Sequence, residues 1–164
     1  MGSGKSTIGK SLANRLNIPF IDLYQFIENQ ENDSIRTIFE KKGELYFRKA
    51  ERQALQCLIA RESPAVISLG GGTPCYFDNM KELVQSKHNS IYLKASILTL
   101  VSRLKEEKAL RPMIAHLTED VALTEFIGKH LFERNVFYQK AATVYPIDGL
   151  SVEEIVKGLL STLA

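Results

Sequence analysis

The feature that most constrains this chain is its first sixteen residues. Met1-Gly2-Ser3-Gly4-Lys5-Ser6-Thr7 carries Gly-Lys-Ser, the last three fixed positions of the phosphate-binding pattern G-x-x-x-x-G-K-[ST]. The run that follows puts Ile8, Leu12 and Leu16 at i, i+4 and i+8, one apolar stripe of a helix. A glycine loop opening into a helix fits the turn between a parallel strand and its crossover helix. Gly2 and Gly4 let backbone N–H groups approach phosphate oxygens with no Cβ in the way. Ser3 and Thr7 complete the loop, Lys5 reaches β- and γ-phosphates, and Ser6 Oγ ligates Mg²⁺. The positive helix N-terminus faces the same anions.

The rest of the chain alternates in the way such a fold requires. Apolar runs at Pro19–Asp22, Ala65–Leu69, Ser90–Lys94 and Thr143–Ile147 read as buried strands. Helical patterns cover Tyr24–Gln30, Ile35–Lys41, Glu44–Arg61, Asp78–Lys87, Ile97–Glu106 and Val121–Ala141. Ser151 caps a last helix with Glu153 and Glu154 in its first turn. In the helix from Glu44, residues Leu45, Ala50, Ala54, Leu55 and Leu58 are expected inward. The charged stretch from Glu107 to Asp120, with Arg111-Pro112 inside it, reads as a loop. Strands alternating with helices indicate an α/β fold with a parallel sheet covered on both faces, as one domain over residues 1–164.

Composition narrows the function classes. At 164 residues the chain can bury a substantial core. A net charge of +2 with scattered Lys and Arg gives no case for nucleic acid or a membrane surface. No apolar stretch approaches the ~20 residues of a membrane span, and no signal-peptide core is present. Cys57 and Cys75 have no CxxC spacing and read as reduced thiols, so a cytoplasmic protein is expected. His88, His116 and His130 share no metal-ligand spacing and receive no role.

Ligands in open α/β sheets bind beyond the carboxyl ends of the strands. The phosphate loop, Asp22 and Gly70-Gly71-Gly72 all fall on that edge. Asp22 has two readings: a Mg²⁺-linked carboxylate, or the N-cap of the next helix. Gly70-Gly71-Gly72 either lets a ligand lie against the backbone or makes a simple turn. Arg48, Arg111 and Arg134 are surface charges when taken one by one. Phosphoryl transfer to an acidic substrate, however, needs cations over the phosphates and a clamp for the carboxylate.

Taken together, these segments resemble shikimate kinase along the whole chain. The resemblance rests on Gly2-Ser3-Gly4-Lys5-Ser6-Thr7, on Gly43-Glu44-Leu45-Tyr46-Phe47-Arg48-Lys49-Ala50-Glu51, which is similar to the family's G-E-x-x-F-R-x-x-E, and on Ser68-Leu69-Gly70-Gly71-Gly72. It also rests on Arg111-Pro112 followed by Glu133-Arg134-Asn135-Val136-Phe137-Tyr138. It implies a three-layer α/β/α P-loop kinase that transfers the ATP γ-phosphoryl group to the 3-hydroxyl of shikimate, with Mg²⁺ as cofactor and a monomer as the expected state. Arg48 and Arg134 then bind the substrate carboxylate, and Gly70, Gly71 and Gly72 line the ring hydroxyls. Arg111 belongs to a lid over residues 107–120 that closes on ATP, and Arg103 lies near adenine. Lys5, Asp22 and Arg111 are the expected catalytic set. Alternatives are a related kinase for another hydroxy acid and a degenerate nucleotide-binding protein without turnover.

Two departures stand out. The family has Asp-x-Asp where this chain has Asp22-Leu23-Tyr24, so Tyr24 takes the place of a carboxylate that grips substrate hydroxyls and accepts the attacking proton. A phenol is a poor base at neutral pH, and losing a general base costs about 10²–10⁴-fold; a slow enzyme with weakened shikimate binding is expected. The first glycine of the loop and the central strand before it would fall ahead of Met1. The expectation is a start assigned at an internal methionine, with a further apolar strand encoded upstream.

Overall fold

The computed structural model describes residues 1–107, 114–117 and 119–163. Helix α1 runs over Lys5–Leu16 and enters strand β1, Phe20–Asp22, through a left-handed cap at Asn17. Helices α2 (Leu23–Glu31) and α3 (Ile35–Ile59) lead to strand β2, Val66–Ser68. A single 3₁₀ turn, Thr73–Cys75, precedes α4, Asn79–Gln85. Strand β3 (Ile91–Lys94), α5 (Ile97–Glu107), α6 (Asp120–Tyr138), β4 (Thr143–Pro146) and α7 (Val152–Leu163) complete the order.

The strands pair in parallel, β1 with β2 and β3 with β4. Parallel neighbours need a crossover; α2 and α3 supply the first, α5 and α6 the second. The sequence leads one to expect a single sheet. Among the described residues there are two two-stranded pairs, β1–β2 and β3–β4. An apolar cavity of about 440 Å³ is lined by residues of both, including Val66, Ile67, Ile91 and Leu93, together with Ile8 and Leu12 of α1.

Two apolar clusters hold the helices on these strands. Ile8 and Leu12 of α1 pack with Leu104 of α5, Leu123 and Ile127 of α6, and Ile155 and Leu159 of α7. Leu23 and Ile27 of α2 pack with Ile38, Phe47, Ala54 and Leu58 of α3. Burying each such side chain is worth about 1.5–3 kcal/mol, which is what fixes the helices against the strand ends.

Two expectations are corrected here. Gly43 takes φ 81° and ψ 171° inside α3 and separates the two helical stretches expected on either side of it; the correction concerns the second stretch. Its inward face then follows Phe47, Glu51, Ala54, Leu55 and Leu58, which leaves Leu45 on the opposite side, 65% exposed. The stretch from Glu107 to Asp120 is not wholly surface loop: Ile114 is fully buried in the first cluster. Arg111 lies outside the described residues.

Candidate active site

The phosphate loop, the end of β1 and the turn after β2 meet at the site, joined by side chains of α3 and α6. The backbone at Gly2 (φ 75°) and Gly4 (φ 80°) is left-handed, a conformation glycine adopts freely, and Gly4 is the N-cap of α1. The loop thus turns directly into the helix and leaves the first N–H groups of α1 facing outward. Ser6, in the first turn, donates from Oγ to Asp22 Oδ2 at 3.2 Å. The other Asp22 oxygen accepts the Tyr24 N–H at 3.0 Å and caps α2. The N-cap reading of Asp22 thus uses one oxygen, and the other faces Ser6. A hydroxyl beside a carboxylate is the hard-oxygen donor pair that Mg²⁺ takes when phosphates and water complete its shell, so Ser6 and Asp22 fit that ion. Arg103 of α5 approaches the same loop; a Cβ placed on Gly4 would lie 3.9 Å from its Nη1.

The triple glycine serves a purpose that the sequence suggests only in part. Each glycine receives a side chain of the site against its Cα. A Cβ on Gly70 would collide with the Tyr24 ring and hydroxyl, and one on Gly72 would stand 2.9 Å from Arg48 Nη1. On Gly71 it would lie 3.4 Å from Arg134 Nη1, 3.5 Å from the Tyr138 hydroxyl and 3.8 Å from the Met1 backbone nitrogen. Tyr24, Arg48 and Arg134 thus converge on one short segment, next to the phosphate loop.

Buried polar partners hold these cations. Glu51, fully buried, accepts from Arg48 Nη1 at 2.8 Å and from Thr73 Oγ1 at 2.6 Å. Burial alone lowers the Arg48 pKa, but the Glu51 hydrogen bond and charge outweigh it and raise it. Asn79 Nδ2 donates to the Thr73 carbonyl at 2.8 Å, which ties the 3₁₀ turn to α4. Tyr138, one turn beyond Arg134 on α6, donates to the Gly71 carbonyl at 2.5 Å. Burial pushes the Tyr138 phenol up to about 12. Burial, then the nearby Glu51 carboxylate, raises the Tyr24 phenol above the usual tyrosine value, so it stays neutral.

The shikimate kinase family model matches residues 1–164. The chain belongs to the shikimate kinase family. It is 45% identical, over all of its own length and 95% of the relative's, to a shikimate kinase of Flavobacterium johnsoniae. A second relative, from Flavobacterium psychrophilum, is 43% identical over 96% of this chain and 91% of its own. A crystal structure of shikimate kinase from Bacteroides thetaiotaomicron superposes with a TM-score of 0.89 at 34% identity, covering 99% of this chain and 93% of that one. Shikimate kinase from Acinetobacter baumannii in complex with shikimate gives a TM-score of 0.84 at 27% identity, over 99% of this chain and 88% of that one.

Within this chain, the sequence left unread the residues that hold Arg48. Glu51 stands in the motif quoted above, but its partnership with Arg48 was readable only from the i,i+3 spacing on a buried helix face. Thr73 gave no signal, since its partner Glu51 lies 22 residues away in sequence. Among the described residues no group of three or more His, Cys, Asp or Glu side chains suits a metal.

Proposed function

We infer that this chain is a shikimate kinase, transferring the ATP γ-phosphoryl group to the 3-hydroxyl of shikimate to give shikimate 3-phosphate and ADP. The observation that carries this reading is the convergence of Arg48, Arg134 and Tyr24 on Gly70–Gly72, beside the Gly2–Ser6 loop. Two guanidinium groups can clamp a carboxylate from two sides, and a transferring phosphoryl group needs a cradle of N–H groups next to them.

The proposed roles extend this reading residue by residue. Gly2, Ser3, Gly4, Lys5, Ser6 and Thr7 cradle the ATP phosphates, with the Lys5 ammonium on the β- and γ-oxygens. Ser6 and Asp22 hold Mg²⁺, which when bound neutralises charge on the phosphates. Arg103 stands at the nucleotide end beside Gly4. Arg48 and Arg134 take the shikimate carboxylate, while Gly70, Gly71, Gly72 and Tyr24 border the ring. Arg111, which lies outside the described residues, takes by family resemblance the role of a lid arginine that meets the ATP phosphates. Because the transition state is loose, positioning and charge do most of the work. Tyr24 contributes a hydrogen bond without acting as a base, so turnover is slow relative to a site with a carboxylate there. No described helix is long and apolar enough to cross a membrane; we place the enzyme in the cytoplasm, as one monomeric domain without nucleic-acid partners.

The test is ADP release with Mg·ATP and shikimate, run beside a panel of other hydroxy acids. Release that depends on shikimate is expected. Release only with another acid would reassign the substrate, and nucleotide binding with no turnover on any acid would leave a non-catalytic protein.

A further inference from the structure

Arg48 has a third holder, outside every motif read from the sequence. Glu51 takes Nη1 along one edge of the guanidinium, and Glu44 Oε1 lies 3.4 Å from Nε along another. The Tyr76 ring stands against the group, 3.8 Å from its central carbon. The Tyr76 hydroxyl donates at 2.9 Å to the same Glu44 oxygen. Ring, carboxylate and Nε thus form a closed set.

The segment that presents Tyr76 is itself pinned. It follows the 3₁₀ turn that Thr73 ties to Glu51 and Asn79 ties to α4. Phe77 then takes a left-handed φ of 50°, rare for a bulky residue. The Arg52 guanidinium sits 5.6 Å from the Phe77 ring. One short stretch therefore carries both the bond that fixes Glu51 and the ring that covers Arg48.

A stacked ring uses the face of a guanidinium and leaves its in-plane N–H groups for ligands. It also removes rotamer freedom that an unheld arginine would lose on binding. We propose that Tyr76 is a positioning residue for shikimate: it holds Arg48 ordered, so that the guanidinium meets the substrate carboxylate without first being immobilised. The hydroxyl assists by keeping Glu44 on the Nε edge. This rests on the reading that Arg48 binds the carboxylate.

The experiment compares Tyr76→Ala and Tyr76→Phe with the unmodified full chain, varying shikimate and ATP separately. Tyr76→Ala should raise KM for shikimate about three- to twenty-fold, the range that losing a cation–π contact allows. The expected kcat stays within about two-fold, with KM for ATP unchanged. Tyr76→Phe keeps the ring and should raise KM for shikimate by no more than about three-fold. An unchanged KM for shikimate in Tyr76→Ala, or an equal rise for ATP, overturns the proposal. A second readout needs no substrate: the Arg48 Nε–H resonance in the free protein. It should be protected from solvent exchange in the unmodified chain and in Tyr76→Phe, and lose that protection in Tyr76→Ala. Identical exchange in all three overturns the positioning role even if shikimate is turned over. Tyr76-dependent exchange with no shikimate turnover would instead overturn the substrate assignment.

Discussion

Replacing Glu51 with glutamine keeps the size of the side chain and removes its charge. The carboxylate is fully buried, with one oxygen on Arg48 and the other on Thr73, while the Arg48 side chain is only 11% exposed. Truncating one partner of such a pair costs about 3–5 kcal/mol, because the other charge stays buried and uncompensated. Glutamine retains an acceptor for Arg48, and the Thr73 hydroxyl can rotate to accept from its amide. The loss then falls to the charge-assisted share, about 1.5–3 kcal/mol. Against a domain stability of ~5–15 kcal/mol, that is a large fraction. With a urea m-value of ~2 kcal/mol/M, the unfolding midpoint should fall by roughly 1 M. Because Arg48 loses its anchor, KM for shikimate should rise while KM for ATP holds. Thr73→Val removes only the hydroxyl's bond to this carboxylate, leaves the Arg48 pair intact, and should cost less than Glu51→Gln. A Glu51→Gln protein with its midpoint and shikimate KM unchanged would refute the argument that Arg48 depends on this carboxylate.

Other substitutions separate roles that share a residue. Asp22→Asn keeps an N-cap of equal quality and loses a metal-binding carboxylate; thermal stability should hold within about 0.5 kcal/mol while the Mg²⁺ needed for half-maximal rate rises. A large stability loss with unaltered Mg²⁺ demand would put the cap first. Tyr24→Asp puts a carboxylate beside the glycines, and kcat/KM for shikimate should increase by up to about 10²-fold; no increase would mean that Tyr24 costs nothing. Tyr138 gives a pH signature. Its folded pKa is raised from 10.0 to about 12, so the unfolded chain ionises first. Its contribution is complete below pH 10 and is lost as pH rises through about 12. Urea titrations across that range should show the loss in the unmodified protein and a shallower one in Tyr138→Phe, which gives up about 1 kcal/mol at neutral pH with the Gly71 hydrogen bond.

The elements were legible wherever the local signal was periodic or punctuated. The stripe of Ile8 and Leu12, the run Ala65–Leu69 and the Ser151 cap each placed their element to within a few residues. Leu45 went wrong because, at about 100° per residue, it lies on the side of its helix opposite Phe47 and Ala54. The 3₁₀ turn after Gly72 was missed because three residues carry no period.

The sequence by itself determined the chemistry, since Gly-Lys-Ser before an amphipathic helix leaves few alternatives to a phosphate cradle, and the arginines with the triple glycine restricted it to one family. Only the tertiary structure decided how those groups are held. It put one oxygen of Asp22 on the helix and the other on Ser6. It laid Tyr24, Arg48 and Arg134 each against its own glycine, and it locked Arg48 between Glu51 and Tyr76. The physical reason is that a side chain's type is local, whereas its partners are chosen by how distant strand ends and helix ends meet in the packed core.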